Sequence, residues 1–194
     1  MKTLIFTLLI FPLLTLAQLR DSVQIKTSIY EAVYSEKLES PLKITYTVQC
    51  TNGTASRAGM DFYTDKSIHT SDAKDYVDNV YDKGHMAPAA DFNCTKEMLY
   101  KTFSYVNCAL QNQYLNRGVW KMLEVQEREW AKNEMVSVTI RVVFTDGSSK
   151  LPTGASVPVG FLKTIYLHNT KKTYTYYFEN TKPIKSNYTE YLIK

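Results

Sequence analysis

The segment PLKITYTVQC, residues 41–50, alternates without a break. Leu42, Ile44, Tyr46 and Val48 point one way, and Lys43, Thr45, Thr47 and Gln49 the other. A period of two is the mark of a strand with one buried face. The alternation returns in EMVSVTIRVVF (134–144), where Val136, Val138, Ile140, Val142 and Phe144 oppose Ser137, Thr139 and Arg141. VPVGFLKTIYLH (157–168) and TYTYYF (173–178) predict two more strands, joined by the polar turn NTKK, and TDGSSK (145–150) is a further turn signal. Between the first strand and the later ones lies CTKEMLYKTFSYV (94–106), with Met98, Leu99, Phe103 and Val106 near helical spacing and Asn93 or Thr95 available as cap. A longer helical run, LNRGVWKMLEVQEREWAKN (115–133), sets Trp120, Leu123 and Trp130 on neighbouring faces, where they read as core. Strands, helical segments and strands again predict an α+β fold, a central and mostly antiparallel sheet with helices packed on it.

The 194 residues show no internal repeat or low-complexity tract, so one domain is expected. Residues 1–17, MKTLIFTLLIFPLLTLA, read as a secretory signal: Lys2 opens it, a short apolar run broken by Pro12 follows, and small Ala17 precedes the cut. The run is too short for a membrane span. The expectation is an exported chain, secreted or periplasmic, whose mature domain is 18–194 and which makes no stable membrane insertion. The formal net charge of +4 is compatible with a polyanionic partner without requiring one. Three cysteines, Cys50, Cys94 and Cys108, allow one disulfide and one free thiol in any of three pairings. No CxxC or Cys/His spacing marks structural zinc.

Residues 51–79 are polar and read as a long irregular segment, a kind of loop that is often functional. YDKGHMAPAADF (81–92) follows directly. Of the three histidines, His69 falls in the polar loop and His168 at a strand end, both ordinary solvated positions. His85 differs by its company. Gly84 removes a side chain and lets backbone or phosphate come close, Lys83 supplies a cation, and Asp82 a carboxylate able to brace the turn. Downstream, NCALQNQYLNRGVWKMLE (107–124) places Asn107, Asn112, Asn116 and Glu124 around the start of the longer helix. Amide and carboxylate oxygens are hard ligands, suited to magnesium that keeps several waters.

DKGHMAPAADF, followed by N…LNRGVWKMLE, resembles the DNA/RNA non-specific endonucleases, the ββα-metal or His-Me finger group that includes secreted sugar-nonspecific nucleases and endonuclease G. YSEKLESPLKITYTV and VPVGFLKTIYL are similar to core strands of that family, so the resemblance covers most of the mature chain. It implies a ββα-metal motif and hydrolysis of phosphodiester bonds in DNA and RNA with little sequence preference. By position it implies His85 as the general base, Asn116 as the side chain that binds a divalent cation (Mg²⁺, or another such as Mn²⁺) and Glu124 as the acid that holds the cation's waters. It further implies Asn107 as the amide near the histidine and Arg57 as a phosphate contact. Lys83 stands where the family usually has Arg; it keeps the charge and loses the planar fork, which bears on efficiency more than on reaction type. A homodimer and a protein inhibitor are both compatible with the resemblance. A different class, a catalytically weak or inactive nucleic-acid-binding or surface domain on the same scaffold, is kept open by Lys83.

If 115–133 is one continuous α-helix, Asn116 and Glu124 stand about 80° apart around its axis and about 12 Å apart along it. That spacing disfavours direct chelation of one ion by both. Glu124 then reaches back through a water, since helical side chains lean toward the N-terminus.

Overall fold

The computed structural model describes residues 19–193, and the expected signal segment, residues 1–17, lies outside them. The described strands are β1 (Val23–Lys26), β2 (Tyr30–Ser35), β3 (Ser40–Thr47), β4 (Tyr81–His85), β5 (Cys108–Asn112), β6 (Val136–Val143), β7 (Gly160–Leu167) and β8 (Lys172–Glu179). The helices are α1 (Lys96–Lys101), α2 (Gln113–Leu115) and α3 (Lys121–Ala131). Six strands form one sheet in the order β1-β2-β3-β6-β7-β8, antiparallel at every step, and β4 pairs with β5 in a separate antiparallel ribbon. The expected α+β class with a mostly antiparallel sheet is what the chain adopts.

Register explains why one face of the sheet closes. Tyr30, Tyr46, Val138 and Ile165 lie side by side across four strands, and all are buried. The helical run covers this face: Trp120 packs against Phe161 and Phe178 at 5.4 and 5.5 Å between ring centroids, with Leu123 fully buried beside it. The adjoining row runs Ala32, Ile44, Ile140 and then Lys163, a charge on an apolar row. Lys163 is fully buried, and α3 answers it with Glu127, also fully buried, at 2.6 Å. The Tyr46 hydroxyl donates to Glu127 at 2.7 Å, and the ammonium lies 4.4 Å from the Trp120 ring centroid. A charge taken out of water needs such partners, because an unpaired one costs several kcal/mol.

Two helical expectations need correction. α1 stops at Lys101, where the Thr102 hydroxyl takes up the Leu99 carbonyl at 2.7 Å; Phe103 and Val106 are buried from the turns beyond it, and Thr95 is the cap. The longer run is not one α-helix. A kink within Asn116–Trp120 separates α2 from α3, and Gly118 at its centre leaves helical dihedrals at φ −101°, ψ −118°. The spacing expected of one continuous helix, about 80° and about 12 Å between Asn116 and Glu124, therefore does not apply across the kink.

Residues 51–80 are irregular apart from the 3₁₀ turn Ala73–Tyr76 and an isolated bridge at Tyr63. Their start is tethered by a disulfide between Cys50 and Cys94, leaving Cys108 as the buried free thiol. Among the described residues no helix is long and apolar enough to cross a membrane.

The N-terminal edge carries its own acid-sensitive link. Glu36 accepts from the Arg20 guanidinium at 2.6 and 2.9 Å, from the Arg20 amide at 2.8 Å and from the His69 amide at 3.0 Å. The Arg20 side chain leads these in lowering the Glu36 carboxyl from 4.5 to about 2. A carboxyl lowered on folding stabilises the fold above its unfolded value and loses that contribution as pH falls through the folded one. Urea denaturation should therefore show stability falling from pH 4.5 towards 2, and Glu36→Gln should flatten that part of the profile.

Candidate active site

The β4–β5 ribbon carries the histidine. Its strands approach closely: a Cβ on buried Gly84 would come within 2.5 Å of the Gln111 side chain. Packing inside the ribbon, rather than room for a phosphate, is what demands glycine here. His85 ends β4 opposite Cys108 and rests against two rings, Phe62 at 4.9 Å and Phe103 at 5.1 Å. Its Nε2 is enclosed and has no hydrogen-bond partner among the described residues. Burial, aided by the charge of Arg57, lowers the imidazole from 6.5 to about 4. The ring is therefore neutral at neutral pH and free to accept a proton.

Asn116 sits at the end of α2, just before the kink at Gly118. Its Nδ2 donates to Asp82 Oδ2 at 2.9 Å, and the neighbouring Arg117 donates to both Asp82 oxygens, at 2.6 and 2.8 Å. With the amide nitrogen committed, the amide oxygen is the group Asn116 has left to offer. Glu124, from the first turn of α3, lines the same cavity of about 660 Å³ as Arg57, Asp82, His85 and Asn116. Burial raises the Glu124 carboxyl to about 7, with Lys163 opposing and Glu127 reinforcing the shift. One helical turn further on, Arg128 also reaches the cavity and donates to the buried carboxylate of Asp91 at 2.7 Å.

Among the described residues no three or more His, Cys, Asp or Glu cluster as a metal site. With the Asp82 oxygens taken by Asn116 and Arg117, the oxygen donors on offer are the Asn116 amide and the Glu124 carboxylate, which line one cavity beside open space. Few protein oxygens with room for retained waters suit magnesium better than zinc.

The sequence model of the DNA/RNA non-specific endonuclease family matches residues 16–194. The chain belongs to that family. It is similar to bovine mitochondrial endonuclease G (33% identical over 79 residues, 39% of this chain and 26% of the relative). It is also similar to a nuclease of Syncephalastrum racemosum (40% over 84 residues, 43% and 25%) and to the zebrafish mitochondrial nuclease EXOG (35% over 80 residues, 40% and 23%). Each match spans about a quarter of the relative's length. The crystal structure of the EndoG/EndoGI complex shares the fold, with a TM-score of 0.77 over 88% of this chain and 80% of that one, at 23% identity.

Of the six residues that the sequence singles out, this family member brings four to one cavity: Arg57, His85, Asn116 and Glu124. Lys83 and Asn107 are not in its lining. Lys83 is drawn aside by the rings of Phe62 and Tyr105, 5.2 and 5.5 Å from its ammonium, and by Asp61 at 3.5 Å. Asn107 is fully buried and fully occupied: its oxygen accepts from the Ala87 amide at 2.8 Å, and its nitrogen donates to the Ala87 and Thr102 carbonyls at 2.9 and 3.0 Å. It holds the backbone just behind His85. Sequence reasoning missed Arg117, Lys121 and Arg128, which line the cavity, and the pairing of Asp82 with the helix entry. Arg128 had a signal, since it lies four residues after Glu124 and so on the same helical face.

In protein kept free of divalent cations, NMR titration should find the His85 ring neutral down to about pH 4, and Arg57→Ala should raise that midpoint. Because the unfolded chain binds the proton more readily, the same histidine should lower stability as pH falls from 6.5 to about 4. Gly84→Ala should cost about 1–3 kcal/mol by overpacking the ribbon, seen as a lowered melting temperature.

Proposed function

We propose that this chain is an exported, divalent-cation-dependent endonuclease that hydrolyses DNA and RNA with little sequence preference. The observation that carries this reading is the convergence of His85, Arg57, Asn116 and Glu124 on one open cavity, in a chain of the non-specific endonuclease family.

Each residue has a task that its surroundings support. Arg57, from the irregular segment, contacts the phosphate and keeps the adjacent imidazole unprotonated. Neutral His85 takes the proton of a water whose oxygen bonds to phosphorus as the bond to the leaving sugar oxygen breaks. Asn116 offers its amide oxygen to the cation, and Glu124 holds the cation's waters. When bound, the cation supplies positive charge beside the phosphate and the leaving oxygen. Arg117, Lys121 and Arg128 add cationic character along the walls. Backbone phosphate is common to every sequence, so a cavity lined this way favours broad substrate choice.

Export is supported by the signal-like residues 1–17 and by the Cys50–Cys94 disulfide, which belongs to an oxidising compartment. The named animal relatives are mitochondrial. A protein inhibitor is a reasonable partner, since the structural relative was solved in a complex described as a mechanism of EndoG inhibition.

Digestion of plasmid and of RNA, with Mg²⁺ or Mn²⁺ and with EDTA, tests the mechanism. His85→Ala should lower the rate about 10²–10⁴-fold, and Asn116→Ala should remove the cation-dependent activity while the circular dichroism spectrum stays native. Cleavage that persists in EDTA and in His85→Ala would sink the mechanism. Salt-sensitive DNA binding with no product under either cation would return the chain to the binding-domain reading.

A further inference from the structure

A second concavity, of about 260 Å³, opens where the segment after β8 folds back over α2; Leu115, Tyr177, Lys182, Ile184 and Tyr191 are among its walls. Asn180 pins the fold-back. Its nitrogen donates to the Leu110 and Pro158 carbonyls, both at 2.9 Å, and its oxygen accepts from the Asn112 amide at 2.8 Å. Two residues on, the Lys182 ammonium lies 5.0 Å from the centroid of the Tyr114 ring, and Lys182 makes no ion pair among the described residues.

Tyr114 has no evident structural duty. It is 54% exposed, while the tyrosines of β2 and β3 are buried in the sheet. It stands three residues before Arg117, a spacing that makes them neighbours on a helical surface, and Arg117 lines the active cavity. The tyrosine also acts on the Arg117 charge. Tyr114 thus touches Lys182, a wall of this groove, on one side and neighbours Arg117, a wall of the active cavity, on the other.

We propose that Tyr114, Lys182 and this groove form a subsite for an unpaired stretch of the nucleic-acid substrate, next to the phosphate being cleaved. The proposal rests on the nuclease reading. A base stacks on the Tyr114 ring and the adjoining phosphate meets Lys182, the pairing of aromatic face and cation that serves single strands of any sequence. In a duplex the base faces are already covered by their neighbours, so the subsite favours single-stranded substrate. The Glu179 carboxylate also lines the groove; it repels phosphate, so the base rather than the backbone enters there.

Fluorescence anisotropy of a labelled 12-nucleotide single strand against the same sequence as duplex, with EDTA present to stop cleavage, tests this on the full chain. The unaltered protein should prefer the single strand. Tyr114→Ala should weaken single-strand binding about 5- to 150-fold, the range for loss of one stacked base, and Tyr114→Phe should keep most of it. Lys182→Ala, on a different element, should weaken binding and lower the slope of log affinity against log salt by about 0.7. Binding left intact by both alanine variants, or equal affinity for duplex, overturns the subsite. If the unaltered chain nevertheless cleaves with Mg²⁺ or Mn²⁺, the nuclease reading stands without it. Tyr114-dependent binding by a chain that cleaves nothing would keep the subsite and remove the nuclease reading.

Discussion

One carboxylate joins the two halves of the site. Asp82 belongs to the ribbon that ends in His85, yet its oxygens accept from Asn116 and Arg117 at the entry to the helical run. The proposed general base and the proposed cation ligand lie on separate elements, His85 and Asn116 being 31 positions apart. Their relative placement has to be fixed by something other than the chain itself. Asp82 does this, and in the same contact it fixes the orientation of the Asn116 amide. A polar partner behind a cation ligand that sets which atom faces the ion is a recurrent requirement of such sites.

Support from below has a different character. The inner face of α3 carries Glu127, and the sheet row beneath it carries Lys163, in a region where apolar packing alone would serve stability as well or better. Lys163 and Glu127 both act on the Glu124 carboxyl, in opposite senses, so the buried pair sets part of the electrostatic surroundings of a cavity residue. Arg128 and Asp91 extend the arrangement, the guanidinium reaching the cavity and the carboxylate staying in the core. The floor of the site is thus held by charges paired in the interior.

Much of the sheet was legible because its strands alternate. β3, β6, β7 and β8 each bury one face, and a period of two reports that directly. β4 and β5 gave no such signal: YDKGH has a glycine next to its histidine, and every residue of CALQN is buried. β1 is only four residues long. The resemblance of the His85 and Asn116 segments to a known family carried the site further than periodicity could, since catalytic order along a chain does not follow a structural period. It could not say which side chains the surroundings would claim first. Lys83 went to two aromatic rings and Asn107 to backbone groups. The cysteine pairing was equally silent, because closure of a loop between positions 44 apart depends on where the sheet and α1 bring its ends.

The kink at Gly118 lies in a run that answers to two sets of neighbours. The core reads the run through Trp120 and Leu123, and the cavity reads it through Asn116 and Glu124. The break at Gly118 frees the entry that carries Asn116 from the axis of α3, which carries Leu123 and Glu124. Asp82 can therefore draw Asn116 and Arg117 towards the ribbon while Trp120 and Leu123 stay set in the core.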